Sequence, residues 1–586
     1  MKALSYLNKF FVKYKYRLII GTICTIIAKI LSLIVPILIG DSIDGVEKYI
    51  NGETSDLQAV KNLLLQNILL MLGAVLLGGV FTFIMRQAII NMSRYIEFDL
   101  KNEIFEHYQK LSLNFYKKNR TGDLMNRISE DVSKVRMYFG PAIMYSINMI
   151  TLFVVVISYM VKKDVTLTLY TLIPLPVLSV SIYFLSREIN KRSRIKQETL
   201  SKLTSITQEF FSGMNVIKAY GIEKPTFKDF NEVADESKEK NIDLYKLQAL
   251  FFPLMVLLIG ISNIMVIYIG GLRYINGQIT NFGVIAEFII YVNMLTWPVA
   301  VVGWVTSIVQ EAEASQKRIN EFLEVEPEIR NSVETPTNIE GKIEFKNVTF
   351  TYDDTNTTAL KNVSFTLEKG KMLAILGKTG SGKSTIAELI ARLYDVDEGE
   401  ILIDNVPIKE VNLTSLRNSI GFVPQEAFLF SDTIANNIKF GDEDAVKEVI
   451  VNAAKNAHIH NNIEDFSKSY ETFVGERGVT LSGGQKQRIS IARAIIKEPE
   501  ILIFDDCLSA VDTETEEIIL NNLNAVSKDK TTIIIGHRVS SAKNADLIIV
   551  LDEGRIVQKG THDELLNQKG FYQKIYNQQL MEQSSQ

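Results

Sequence analysis

The chain has 586 residues, 47% of them hydrophobic and 22% charged, and a formal net charge of -5. That length exceeds one hydrophobic core, so at least two domains follow, and the basic residues fall in blocks between apolar segments, which argues against a nucleic-acid partner. Two cysteines, Cys24 and Cys507, exclude a disulfide framework and a cysteine metal site, and the catalytic compartment is expected to be the reducing cytosol.

Residues 1–17, with Leu4, Leu7, Phe10 and Phe11 among lysines, predict an interfacial elbow helix. An apolar helix needs about 20 residues to cross roughly 30 Å of hydrocarbon. Six segments meet that length within 18–311, at 18–40, 63–85, 138–161, 165–186, 250–271 and 283–308. The first is full length and lacks a small-residue cleavage site, so no cleavable signal is expected.

Lys2, Lys9, Lys13, Lys15 and Arg17 precede the first span, whereas 41–61 is mostly acidic and polar. The amino terminus is therefore expected on the cytoplasmic side of a cell membrane, such as a bacterial inner membrane, with the basic segments 86–137 and 187–248 cytoplasmic and the short loops 162–164 and 273–282 external. The long segments have helical apolar spacing, as at Ile96, Leu100, Ile104, Tyr108 and Leu111. Turns near 115–124 and 213–221 interrupt them.

A charged linker is expected over 312–340, with Pro327 and Pro336, followed by a soluble α/β domain over 341–578 and a polar tail over 579–586. The apolar run 373–376 reads as a buried strand leading into Gly377, Lys378, Thr379, Gly380, Ser381, Gly382, Lys383, Ser384 and Thr385. Such a glycine-rich loop lets backbone N–H groups converge on phosphate oxygens, with Lys383 reaching the β/γ-phosphates of ATP and Ser384 ligating Mg²⁺. A second strand, 501–505, carries Asp505 toward the same metal. His537 ends a third apolar run, where its imidazole could meet the γ-phosphate. Gln425 is placed to sense the metal, the γ-phosphate or the attacking water, and Tyr352 to stack on adenine.

Leu481, Ser482, Gly483, Gly484 and Gln485 precede a helix expected from Lys486 to Ile496 and form a second anion-binding helix start. Two such starts far apart in one domain cannot hold one triphosphate. Two domains arranged head to tail can.

The ordered set of Tyr352, 377–385, Gln425, Val474-Gly475-Glu476-Arg477-Gly478, 481–485, Asp505, Ser509-Ala510-Val511-Asp512 and His537 resembles an ATP-binding cassette. Joined behind six spans, it resembles a half-transporter of the ABC exporter class. The resemblance implies an α-helical membrane domain with long cytoplasmic extensions, an α/β P-loop ATPase with a helical subdomain, coupling helices near 115–124 and 213–221, and a second half-transporter as partner. That family ordinarily has glutamate after the strand aspartate, to polarise the attacking water, where this chain has Asp506. Aspartate is one methylene shorter, so slow hydrolysis or none is expected at Asp506. The same replacement is familiar in asymmetric pairs, so a heterodimer is favoured over a homodimer with a working aspartate.

An ATP-gated regulator or channel is the alternative function, and the fused layout argues against an importer. The substrate class remains open among small amphipathic molecules, lipids and peptides. Lys29 and Glu287 are costly in lipid and are expected to face a cavity, a partner helix or an interface. Glu287 reads as lying near the solvated external boundary, and Lys29 as able to snorkel or pair. Phe251, Phe252, Tyr291 and Trp297 read as pocket lining or as packing anchors.

Overall fold

The computed structural model describes residues 3–53, 56–475, 478, 481–508 and 513–584. It divides into two units, one of Met1–Tyr108 with Gly122–Val325 and one of Gln109–Thr121 with Glu326–Gln586.

The first unit is helical throughout. A 3₁₀ turn over Ala3–Leu7 and a helix over Asn8–Lys13 lead into the long helix Lys15–Ile50. Leu4, Leu7 and Phe10 of this segment are buried in the protein. Lys9 and Lys13 hold that face in place through ion pairs of 2.6 Å each to Glu103 and Asp99 on the helix Leu57–Lys110.

Among the described residues five continuous helical stretches are long and apolar enough to cross a membrane: Lys15–Ile50, Leu57–Lys110, Thr121–Lys163, Glu223–Ile275 and Gly283–Leu323. The segment expected at 165–186 is divided between the helices Val165–Leu172 and Pro174–Ser212. Pro174 explains the break, because it has no N–H to continue the ladder, while Ile173 before it keeps helical angles, φ −53° and ψ −45°. Asp164 starts the first of these helices by accepting from the Leu167 N–H at 2.7 Å. The helix Gly283–Leu323 also extends well past 312, so the first part of the expected linker is helical, and the helix Phe571–Ser584 covers most of the expected tail.

One polar cluster draws several helix ends together. Glu287 is only 1% exposed, which corrects the solvated reading. Its carboxylate accepts from Lys163 Nζ at 3.0 Å and from the Tyr291 hydroxyl at 3.2 Å. Nearby, Arg273 pairs with Asp164 at 3.0 Å and the Gly283 N–H donates to Asp44 at 2.6 Å. The helices Lys15–Ile50 and Gly283–Leu323 approach closely here, since a Cβ on Gly283 would lie 2.2 Å from the Gly40 carbonyl oxygen.

The second unit has two sheets. β1 (Ile343–Tyr352), β2 (Thr357–Leu367), β4 (Glu398–Ile403) and β5 (Val406–Pro407) form an antiparallel sheet in the order β2-β1-β4-β5. β3 (Met372–Gly377), β6 (Ile420–Val423), β7 (Ile501–Asp505), β8 (Thr531–Gly536), β9 (Leu547–Asp552) and β10 (Arg555–Gly560) form the second, ordered β10-β9-β3-β8-β7-β6. All its pairings are parallel except β9 with β10. β7 and β8 are buried along their full length, as parallel strands covered on both faces must be. A helical subdomain with the helices Ile434–Lys439, Lys447–Asn456 and Gly483–Ile495 packs Ile438, Ala454 and Ile489 into a second core.

Candidate functional site

Parallel register brings the strand ends to one edge. Leu376 of β3 pairs with Gly536 of β8, Asp505 of β7 with Ile535, and Val423 of β6 with Phe504. Gly377 and Asp505, the last residues of β3 and β7, and His537 and Gln425, just past β8 and β6, therefore stand at the carboxyl ends of four neighbouring strands, where open α/β sheets bind ligands. A cleft of 390 Å³ opens there, with Tyr352, Thr379, Gly380, Gly382, Lys383, Ser384, Thr385, Gln425, Asp505, Asp506 and His537 in its wall.

The helix Lys383–Ile390 begins directly from the glycine-rich loop. Gly380 and Gly382 have φ of 78° and 97°, a region that only glycine enters cheaply. At Gly382 a Cβ would also lie 2.3 Å from the Ala359 carbonyl oxygen. Lys383 is 7% exposed, and its ammonium donates to the carbonyls of Gly377 and Lys378 at 3.0 and 2.9 Å. Burial lowers its pKa, against the opposing charges of Asp506 and Asp505. Lys378 points elsewhere, 3.8 Å from Asp552. Ser381 Oγ is buried without a hydrogen-bond partner among the described residues.

Ser384 Oγ donates to Asp505 Oδ1 at 3.0 Å. Burial, foremost, pushes the Asp505 carboxyl up to about 6, with the Ser384 hydrogen bond opposing it and the Asp506 charge adding to it. The Ser384 hydroxyl and the Asp505 carboxylate are oxygen donors of the kind a hard divalent cation takes, and Gln425 lines the same cleft.

Asp506 has a φ of 43°, a left-handed conformation that aspartate tolerates better than most residues. Its N–H donates to the Ile535 carbonyl at 2.9 Å, and its carboxylate accepts from Gln425 Nε2 at 3.4 Å. His537 has its pKa lowered, chiefly by burial and then by the Lys383 charge.

Tyr352 closes β1, and its hydroxyl meets Thr385 at 2.9 Å and Glu388 at 2.7 Å. Lys117 lies 4.6 Å from the Tyr352 ring centroid. The segment Gln109–Thr121, read as part of the membrane domain, thus belongs to the second unit. It is held there by Ser112 and Asn114, which donate to Glu328 at 2.8 and 3.0 Å.

Ser482, Gly483, Gly484 and Gln485 do not line the cleft. The helix starts at Gly483, earlier than the expected Lys486, because Ser482 caps it. Ser482 Oγ accepts from the Gln485 N–H at 3.3 Å while Gln485 Oε1 accepts from the Ser482 N–H at 2.9 Å, a reciprocal capping box. Glu476, Arg477 and the segment 509–512 lie outside the described residues. The cleft also includes Thr358, Lys361 and Glu553, which motif reading missed. They come from β2 and the β9–β10 turn, and only the turn-forming pair Glu553-Gly554 carried a local signal.

Residues 18–299 match the ABC transporter transmembrane region and residues 360–509 match the ABC transporter family. The chain is 34% identical to the multidrug resistance-like ATP-binding protein MdlA of Escherichia coli (strain K12), over 99% of this chain and 97% of that protein. It is 35% identical to the probable multidrug resistance ABC transporter ATP-binding/permease protein YheI of Bacillus subtilis (strain 168), over 99% and 98%. Among solved structures, a bacterial Atm1-family ABC exporter with ATP bound aligns with a TM-score of 0.80 at 26% identity, covering 96% of this chain and 98% of that one. With a multi-pass helical unit followed by this ATPase fold, the chain belongs to the ABC transporter family and serves ATP-driven export.

Proposed function

We propose that this chain is one half of an asymmetric exporter in a bacterial inner membrane, with its ATPase unit cytoplasmic and its own ATP site weak. The observation that carries this reading is Asp506, an aspartate directly after the last residue of β7, combined with an intact capped helix start at 482–485. The aspartate ends one methylene short of where a glutamate would hold the attacking water. The helix start is separate from this chain's own cleft, which suits completion of a site on a partner.

In this reading Lys383 turns from its two loop carbonyls to the β/γ-phosphates, and the N–H groups of 377–385 cradle the phosphate oxygens. Ser384, Asp505 and Gln425 would hold Mg²⁺, which when bound would offset the negative charge of the phosphates. His537 contacts the γ-phosphate, Asp506 and Gln425 orient the water, and Tyr352 stacks on adenine. Ser482, Gly483, Gly484 and Gln485 close over the nucleotide of the partner subunit. The segments near 115–124 and 213–221 act as coupling helices. The relatives named for multidrug resistance support a small amphipathic substrate, with lipid and peptide as the other classes.

The test is reconstitution with and without a second half-transporter that carries glutamate after its strand aspartate. ATP-dependent accumulation of an amphipathic dye in proteoliposomes, with no passive conductance, is expected only from the pair. Passive conductance gated by ATP would favour the channel reading, and full transport by this chain alone would make it a homodimer.

A further inference from the structure

We infer that the membrane unit carries a binding site for an amphipathic anion, formed where the helices Lys15–Ile50, Leu57–Lys110, Ile143–Lys163 and Gly283–Leu323 surround one cavity. The inference deepens the export reading and rests on it. The cavity has a volume of 430 Å³, within the range of small-molecule sites. Lys29 and Arg86 both line it, and no acidic side chain does. Around them soft apolar side chains, among them Met85, Met144, Met294 and Trp297, alternate with the polar Ser32, Thr82 and Asn148.

Two other cations near the ends of spanning helices in the same unit are treated differently. Lys163 is paired with Glu287 and Arg273 with Asp164, each at 3.0 Å. Lys29 and Arg86 have no acidic partner among the described residues. An unpaired cation within a spanning segment is costly, so such groups characteristically face a cavity and mark a substrate path. Lys29 within the first span and Arg86, exposed at the end of the second, place a positive potential from adjacent helices on one cavity. An anionic head satisfies it. Thioether side chains are unbranched and polarizable, so they adapt to tails of different shape. The matching ligand has one carboxylate, sulfate or phosphate head and an apolar body. A free amphiphile and an anionic lipid share that chemistry.

The chain has two tryptophans, Trp297 and Trp304, and Trp297 is the one that lines the cavity. In a full-length Trp304→Phe protein, in phosphatidylcholine nanodiscs without nucleotide, Trp297 fluorescence is titrated with decyl sulfate, decyltrimethylammonium and decanol. Decyl sulfate is expected to bind at least about tenfold more tightly than the other two, the scale of one charge-assisted hydrogen bond. Adding Lys29→Gln and Arg86→Gln is expected to remove that preference. Equal binding of all three probes by the Trp304→Phe protein overturns the inference even if the glutamine variants fail to fold, and so does a preference that survives both substitutions. Repeating the titration with phosphatidylglycerol in the bilayer assigns the source. A shift of the decyl sulfate curve that is absent from the double variant means the lipid fills the anion site, and no shift means a free amphiphile does. Because no turnover is involved, loss of the preference leaves export intact, while failed transport with anion binding retained counts against the export reading alone.

Discussion

The Ser384 hydroxyl donates a 3.0 Å hydrogen bond to the Asp505 carboxylate, joining the start of a helix to the end of β7. The pair presents adjacent oxygens where a hard cation would sit. Asp505→Asn keeps an acceptor for Ser384 but removes the charge. Its ATP affinity without magnesium is expected to stay within about twofold of wild type, while the gain on adding magnesium is lost. Fluorescent nucleotide titration with and without Mg²⁺ checks this, and an unchanged magnesium effect would exclude Asp505 from the metal site.

Lys383 donates to two carbonyls of its own loop. Those bonds keep a buried ammonium satisfied until phosphate arrives, so Lys383→Ala removes both the loop's internal tie and the cation. ATP affinity at this site should fall about 10- to 100-fold, the scale of one or more hydrogen bonds to a charged group. Equilibrium binding to the full-length chain measures it.

Ser482 caps the helix Gly483–Ile495 in a box with Gln485, so Ser482→Arg acts in two ways. It costs about 1 kcal/mol of helix stability through the lost cap, and it places a bulky cation at the proposed contact with the partner's nucleotide. ATPase activity of the assembled transporter should drop by more than about tenfold, while nucleotide binding at this chain's own loop is retained. Ser482→Asn, which keeps a capping oxygen, should leave the helix stable and separates the two effects.

Glu287 is buried against Lys163. Removing one member leaves a charge without its partner, which costs about 3–5 kcal/mol, whereas replacing both with apolar residues is often neutral. Lys163→Ala should therefore lower the thermal midpoint of the purified protein by several degrees, and the double change Lys163→Met with Glu287→Met should restore much of it. A single variant as stable as wild type would show that the pair contributes little.

The sheet of the ATPase unit was legible because β3, β7 and β8 are continuous apolar runs, and once they are parallel neighbours their carboxyl ends have to converge. Asp505, His537 and the loop after Leu376 could thus be assigned to one edge before any contact was known. What escaped depended on tertiary pairing. Glu287 looked like a boundary residue because its partner, Lys163, is 124 positions away and belongs to another helix. The start of the helix at Gly483 was misplaced because glycine disfavours helices, and the capping box overrides that preference. Hydropathy could not reveal the break at Pro174, since residues on both sides of it are apolar. Nor could it place Gln109–Thr121 in the second unit, where single polar contacts such as Asn114 to Glu328 hold it.

Steady-state MgATP hydrolysis by purified assemblies of known composition, compared across Asp506 variants, tests the weak-site reading most directly. In a pair with an unlike half-transporter, Asp506→Asn should leave most activity, Asp506→Glu should change it little, and neutralising the partner's glutamate should remove it. In a homodimer limited by water positioning, Asp506→Glu would instead raise turnover, by up to about 10²- to 10⁴-fold for a restored catalytic base. A fully active homodimer that loses nearly all hydrolysis with Asp506→Asn would contradict the account and make Asp506 a working catalytic carboxylate.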